Sequence, residues 1–269
     1  MGLPELQIRL AELDRVVVAF SGGADSALLA WAAADVLGDR ASAVTAVSPS
    51  LAPEEEADCA ALAAEWGLRW RAVSTDELAD PAYTANDGER CYHCKKELMA
   101  VVGPLAAAEA ATVALGVNVD DLGDHRPGQR AAAEAGAVFP LVDAGFTKAE
   151  VRRVSRELGL RTWDKPAAAC LASRVPYGTP VTLGVLDEVA RAESGLRRLG
   201  FRALRVRHHG EVARVELPLE ELEAALARRE DVVAAVRAAG YRWVTLDLEG
   251  LRSGNLNDAL TTPRNPGRP

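Results

Sequence analysis

"VVVAFSGGADSALLAWAAADVL", residues 16–37, joins an apolar run to a Ser-Gly-Gly turn and then to an Ala- and Leu-rich segment. Val16–Phe20 reads as a strand, because β-branched residues suit a pleated, buried backbone. Asp25–Leu37 reads as a helix whose Ala, Leu and Trp positions recur at helical spacing. A strand that runs into a glycine turn opening a helix gathers several backbone N–H groups about one point. The positive end of the helix dipole adds to them, and the result is an anion site. Gly22 and Gly23 let a ligand approach the backbone with no Cβ in the way. Ser21 and Ser26 add hydroxyl donors, and Asp25 can help hold Mg²⁺ on bound phosphates. A Walker loop fits less well, since no Gly-Lys-Ser/Thr follows, and no third glycine completes a dinucleotide fingerprint.

Outward from this turn, short β-branched runs alternate with segments of helical length. Ala43–Ser48, Arg69–Ser74 and Thr112–Val117 read as strands, with a further strand expected over Val138–Val142. Pro53–Trp66, Cys91–Ala110 and Thr147–Leu158 read as helices, the first with acidic residues where they suit the dipole. This alternation predicts an α/β fold: a doubly wound parallel sheet, covered on both faces, with ligands beyond the carboxyl ends of its strands. After about residue 178 the rhythm changes. Thr182–Leu199 is helical, "LRVRHHG" and "VARVELP" form a strand pair about Gly210, helices follow over Leu219–Arg228 and Asp231–Ala239, and Trp243–Leu248 is a last strand. The expected organisation is a nucleotide-binding domain over 1–178, a smaller C-terminal α+β domain over 179–258, joined through "RVPYGTPVT", and a disordered tail over 259–269.

With 269 residues, 49% hydrophobic and 26% charged, the chain is ordinary for a globular protein of one large or two modest domains. Its formal net charge of −8 argues against a nucleic-acid partner, whose phosphates are held by Lys and Arg. No basic segment followed by an apolar core opens the chain, and no apolar run is long enough to span a membrane, so a cytoplasmic location without membrane contact is expected. Four cysteines in that compartment read as metal, catalytic or buried thiols rather than disulfides.

"AFSGGADS" resembles the SGGxDS signature of the PP-loop ATP pyrophosphatases, which bind ATP at this loop and cleave it between the α and β phosphates. Five further stretches narrow the resemblance: "RCYHCKKEL" (90–98), "LGVNVDDLGDHRPG" (115–128), "WDKPAAACLASRVPYG" (163–178), "RVRHHGEVARVE" (205–216) and "VTLDLEGLRSGNLN" (244–257). Together they are similar, along nearly the whole chain, to the LarE family of ATP-dependent sulfur transferases, which mature the nickel-pincer nucleotide cofactor of lactate racemase. The chain departs from the common loop pattern at Ala24, where relatives often carry a larger aliphatic residue whose side chain phosphate contact does not need.

The resemblance implies a reaction and a set of residues. A carboxylate of pyridinium-3,5-biscarboxylate mononucleotide is adenylated by ATP and replaced by a thiocarboxylate. Cys170 stands at the family's sulfur-nucleophile position, where Lys165 and Arg174 are cations that could lower its pKa or neutralise phosphate. Ser21, Gly22, Gly23, Asp25, Ser26, Ser48, Asn118 and Asp121 are implied to face ATP, with Ser48 ending the strand against which adenine rests. Asp25 and either Asp121 or Asp124 would share the Mg²⁺. Arg205 and Arg207 share one strand face by the period of two, with Glu216 on the partner strand, and suggest a monophosphate clamp. Members with three cysteines are thought to hold a [4Fe–4S] cluster as sulfur donor, and Cys91, Cys94 and Cys170 match that set. The alternative is that the Cys170 thiol itself is spent; Cys59 reads as core. A homo-oligomer, a hexamer in that family, and a small-molecule nucleotide substrate are further implications. A PP-loop ligase for tRNA thiolation or amidation, or a nucleotide sensor, are the rival readings.

Overall fold

Strand order decides where the Ser21–Ser26 turn opens. The computed structural model describes residues 2–123, 127–166 and 169–252. The chain forms two compact units, one of residues 1–80 and 89–168, the other of residues 81–88 and 169–269.

In the first unit, α1 (Leu3–Ala11) is followed by β1 (Val16–Ala19), α2 (Ala24–Leu37), β2 (Ala41–Val47), α3 (Pro53–Glu65) and β3 (Trp70–Ser74). After α4 (Pro81–Thr84), which belongs to the second unit, come α5 (Arg90–Ala108), β4 (Thr112–Leu115), α6 (Pro127–Glu134), α7 (Pro140–Asp143) and α8 (Lys148–Glu157). The strands lie in the order β3-β2-β1-β4, all parallel, with Val16 paired to Ala41 on one side and Thr112 on the other. Because side chains alternate along a strand, Val16 and Val18 face one core and Val17 the other. The first core takes apolar residues of α1, α2, α3 and α8, the second those of α5 and α6. This is the doubly wound α/β fold that the sequence predicts. The order reverses between β1 and β4, so the loops after these two strands flank the crevice where such sheets bind ligands.

Two local expectations change. Val138–Val142 is not a strand: only Val138 forms a bridge, to Ala114, and the chain turns at once into α7. Pro140 has no N–H for a ladder and its fixed φ suits the first turn of a helix. Conversely, α1, which the sequence reading left unassigned, buries Leu6 and Leu10 completely.

In the second unit, α9 (Leu183–Arg198) precedes β5 (Arg205–His209) and β6 (Val212–Glu216), an antiparallel pair about Gly210. Then α10 (Leu222–Ala227) and α11 (Arg229–Ala238) lead to β7 (Trp243–Leu246), which runs parallel to β6. Leu196, Val206, Val215 and Val236 centre its core. The units part between residues 168 and 169, ahead of the boundary expected at 178/179. The segment read as a connector is packed into this unit. The fully buried Asn86 side chain donates to the carbonyls of Val175, Pro176 and Thr179, at 3.3, 2.9 and 2.8 Å. The expected disordered tail, 259–269, lies outside the described residues. Among the described residues no helix is long and apolar enough to cross a membrane.

Candidate active site

The turn after β1 is held by its own hydroxyls. The Ser21 backbone N–H donates to Ser26 Oγ at 3.2 Å, the two hydroxyls lie 3.1 Å apart, and Ser26 Oγ donates to the Gly23 carbonyl at 3.2 Å. Gly23 is the N-cap of α2 and contributes no side chain there. Gly22 has φ +67°, a left-handed conformation that L side chains adopt rarely. A Cβ on it would also meet Cys59 Sγ at 2.9 Å. Beneath the turn, Thr45 Oγ1 donates to the Phe20 carbonyl at 2.7 Å and accepts from Trp70 Nε1 at 2.8 Å, so β2 and β3 brace the point where β1 ends.

The loop after β4 closes on the first turn of α2. A Cβ on Gly116 would stand 2.6 Å from the Ser26 nitrogen. Asn118, fully buried, donates from Nδ2 to Asp25 Oδ1 at 2.9 Å and from its backbone N–H to Asp121 Oδ2 at 3.2 Å. Burial raises the Asp25 pKa first, and the Asp121 charge adds to it; the Asn118 hydrogen bond and Lys148 oppose them. Two carboxylates so placed suit a hard cation with oxygen ligands. Among the described residues no His, Cys, Asp or Glu trio forms a metal-holding group. Asp25 and Asp121 supply the one or two carboxylates that Mg²⁺ typically takes from protein, its shell being completed by water and substrate phosphate. Asp124 lies outside the described residues.

Lys165 is drawn to the loop by carboxylates on α3. Its Nζ donates to Glu55 Oε2 at 2.8 Å and to Asp58 Oδ2 at 2.7 Å. Burial acts against its charge, but the bonds to Asp58 and Glu55 prevail and raise the pKa. Ser48, one residue past β2, donates from Oγ to Glu77 Oε1 at 2.6 Å, and Thr75 Oγ1 donates to Glu77 Oε2 at 3.2 Å. Glu77 is 4% exposed, and the sequence reading missed it.

Cys91 and Cys94 stand near the start of α5, three residues apart and hence on one face, the first exposed and the second half-buried. Cys59 is buried against the Gly22 loop. Cys170 belongs to the second unit, half-buried at the start of a 3₁₀ turn, Leu171–Arg174.

Arg174 and Arg207 of the second unit are engaged by carboxylates. Arg174 grips Glu193 with Nε and Nη2 at 2.8 and 3.1 Å, while its Nη1 donates to the carbonyls of Ala169 and Cys170 at 2.6 and 3.2 Å. Arg207 grips Glu216 with Nε and Nη2, both at 2.9 Å, and donates from Nη1 to the Ser173 carbonyl at 2.8 Å. The forks of Arg174 and Arg207 thus meet protein carboxylates, where the sequence suggested bare cations beside a thiol or a phosphate. Arg205 forms no ion pair among the described residues and donates to the Arg252 carbonyl at 2.8 Å. Burial lowers its pKa first, and the neighbouring Arg207 and Arg174 charges lower it further.

The chain is 48% identical to an uncharacterized protein of Synechocystis sp. over 262 residues, 96% of this chain and 98% of that one. It is 41% identical to the pyridinium-3,5-bisthiocarboxylic acid mononucleotide synthase of Lactiplantibacillus plantarum over 254 residues, 94% of this chain and 92% of the other. An uncharacterized protein of Methanocaldococcus jannaschii is 25% identical over 240 residues, 89% of this chain and 91% of its own. No family model matches.

Proposed function

The chain belongs to the LarE family, and we propose that it is an ATP-dependent sulfur transferase acting on pyridinium-3,5-biscarboxylate mononucleotide. The observation that carries this reading is the Ser21–Ser26 turn, a glycine cradle at the start of α2 with Asp25 and Asp121 beside it. In this reading a substrate carboxylate oxygen attacks the α-phosphate of ATP, the α–β bond breaks, and pyrophosphate leaves. Backbone N–H groups of the turn hold the phosphates, and Asp25 and Asp121 would hold Mg²⁺, which supplies charge neutralisation when bound. Ser48, one residue past β2, would lie beside the adenine, Asn118 ties Asp25 to Asp121, and Arg205 is the cation that best suits the substrate phosphate.

The Cys170 thiolate then attacks the acyl carbon and AMP leaves. Cleavage of the Cβ–S bond, with loss of the Cα proton, gives the thiocarboxylate and leaves dehydroalanine in the chain. Cys91 and Cys94, on one face of α5, support a second source of sulfur. With Cys170 they would hold a [4Fe–4S] cluster, which would supply sulfide and spare the thiol. A soluble, cytoplasmic hexamer fits this family reading.

The test is incubation of the protein with the pyridinium biscarboxylate nucleotide, ATP and Mg²⁺, followed by mass spectrometry of product and protein. Thiocarboxylate with AMP and pyrophosphate is the expected outcome. No pyrophosphate, together with tight and salt-steep tRNA binding, would replace this reading with a tRNA-thiolating one.

A further inference from the structure

We infer that Glu55 and Asp58 are positioning residues that hold the Lys165 ammonium beside Gly22, where it meets the phosphates of a nucleoside triphosphate. The inference rests on reading the Ser21–Ser26 turn as the triphosphate site.

Four residues of α3 carry the geometry. Glu55, Asp58, Cys59 and Leu62 follow the i, i+3, i+4, i+7 spacing of one helix face. A Cβ built on Gly22 would lie 2.9 Å from Cys59 Sγ, 3.6 Å from Leu62 Cδ1 and 3.6 Å from Lys165 Nζ. The same helix face therefore supports the loop and grips the ammonium beside it.

An ammonium has three N–H donors. Glu55 and Asp58 take two, and no protein acceptor among the described residues takes the third. Asp58 is itself fixed, since its other oxygen lies 2.7 Å from Arg161 Nη1, and Arg161 Nε donates to Glu65 at 2.9 Å. A lysine otherwise swings on a four-carbon stem. Held by two carboxylates, it presents one donor from a defined place, which is what stabilising charge on a departing phosphate requires.

The groups facing Lys165 are Glu55, Asp58 and the Cys59 thiol, with Arg161 behind Asp58. Removing either carboxylate takes away one of the two bonds that oppose burial, so the pKa of the ammonium falls. Full-length Glu55→Gln and Asp58→Asn are therefore assayed for pyrophosphate release across the alkaline range. Both positions are partly exposed, with side chains 26% accessible, so the fold tolerates the change. The expected result is a fall in kcat of roughly 10- to 100-fold with KM for ATP little changed, and an alkaline limb moved to lower pH. Glu55→Asp and Asp58→Glu should return that limb toward its original place. Active wild type with variants of unaltered kcat and unmoved alkaline limb would overturn the positioning role alone. A wild type that neither binds ATP nor releases pyrophosphate would overturn the triphosphate reading as well.

Discussion

A Cβ on Gly116 would stand 2.6 Å from the backbone nitrogen of Ser26 and 2.8 Å from its Cα. Both are backbone atoms at the start of α2, so neither can give way without moving the anion cradle. Gly116→Ala should therefore weaken ATP binding on the order of 10-fold and cost about 1–3 kcal/mol of stability, as overpacking does. Calorimetric titration and thermal melting measure the two effects. Gly103→Ala is the contrast: it lies in α5 with open space where the Cβ would go, and should stabilise by about 0.5–1 kcal/mol. Equal behaviour of the two variants would contradict the close packing of β4 against α2.

Asp25 shows a different tension. Burial and the Asp121 charge raise its pKa, which means that folding disfavours its ionised form. For a carboxylate with a raised folded pKa, the stabilising contribution is present below the unfolded pKa and disappears as pH rises through the folded one. Asp25→Asn removes that burden at neutral pH while its side-chain oxygen can still accept from Asn118. The variant should melt higher than wild type at pH 7, and the gap should shrink in acid. Its pyrophosphate release should fall on the order of 100-fold, because the cation loses a ligand. Melting curves at several pH values, without nucleotide or magnesium, check the stability half. A variant that melts lower at pH 7 would refute it.

Residues 16–37 were legible because everything they specify is local: a β-branched run, two glycines, then helical spacing. The helix that carries Cys91 and Cys94 was legible for the same reason. What the sequence did not show depends on partners distant along the chain. Gly116 is demanded by Ser26, and only a glycine directly after a strand hints at it. Glu77 is a lone acid in "STDEL" until Ser48 and Thr75 turn their hydroxyls to it. Arg207 and Glu216 were both singled out, yet the pattern could not tell a clamp awaiting phosphate from a buried pair that satisfies itself. Register accounts for the pair that forms: Arg207 stands opposite Arg214, and Glu216 lies diagonally within reach. The Val138–Val142 strand failed where Pro140 overrode β propensity.

Glu193 joins three parts of the second unit. It is fully buried, and it accepts from Arg174 of the Cys170 turn, from Arg197 of α9 at 2.9 Å and from the Val206 N–H of β5 at 3.0 Å. Removing one partner of a buried pair leaves an uncompensated charge, so Glu193→Gln should lose about 3–5 kcal/mol. The Arg174 side chain would no longer be anchored while bonding the Ala169 and Cys170 carbonyls. Alkylation of Cys170, followed by peptide mass spectrometry under conditions where the variant is still folded, should then be faster than in wild type. Unchanged stability and unchanged alkylation would show that the pair holds nothing in place.

The source of sulfur turns on Cys91 more than on Cys170, because both readings need Cys170. Cys91 is exposed in the first turn of α5, so Cys91→Ala disturbs no core and should leave the melting temperature within experimental scatter. If α5 presents a cluster ligand pair, protein isolated without oxygen should contain iron and acid-labile sulfide with broad visible absorption. Cys91→Ala and Cys94→Ala should each lose these. Cys59→Ala should keep them, since that thiol is buried against the Gly22 loop. After turnover, wild-type protein should then retain an intact Cys170. Protein that contains no iron, behaves the same with Cys91→Ala, and carries dehydroalanine at position 170 after one round would exclude the cluster source. The thiol would then be the reagent, and the cysteine pair on α5 would have no part in the chemistry.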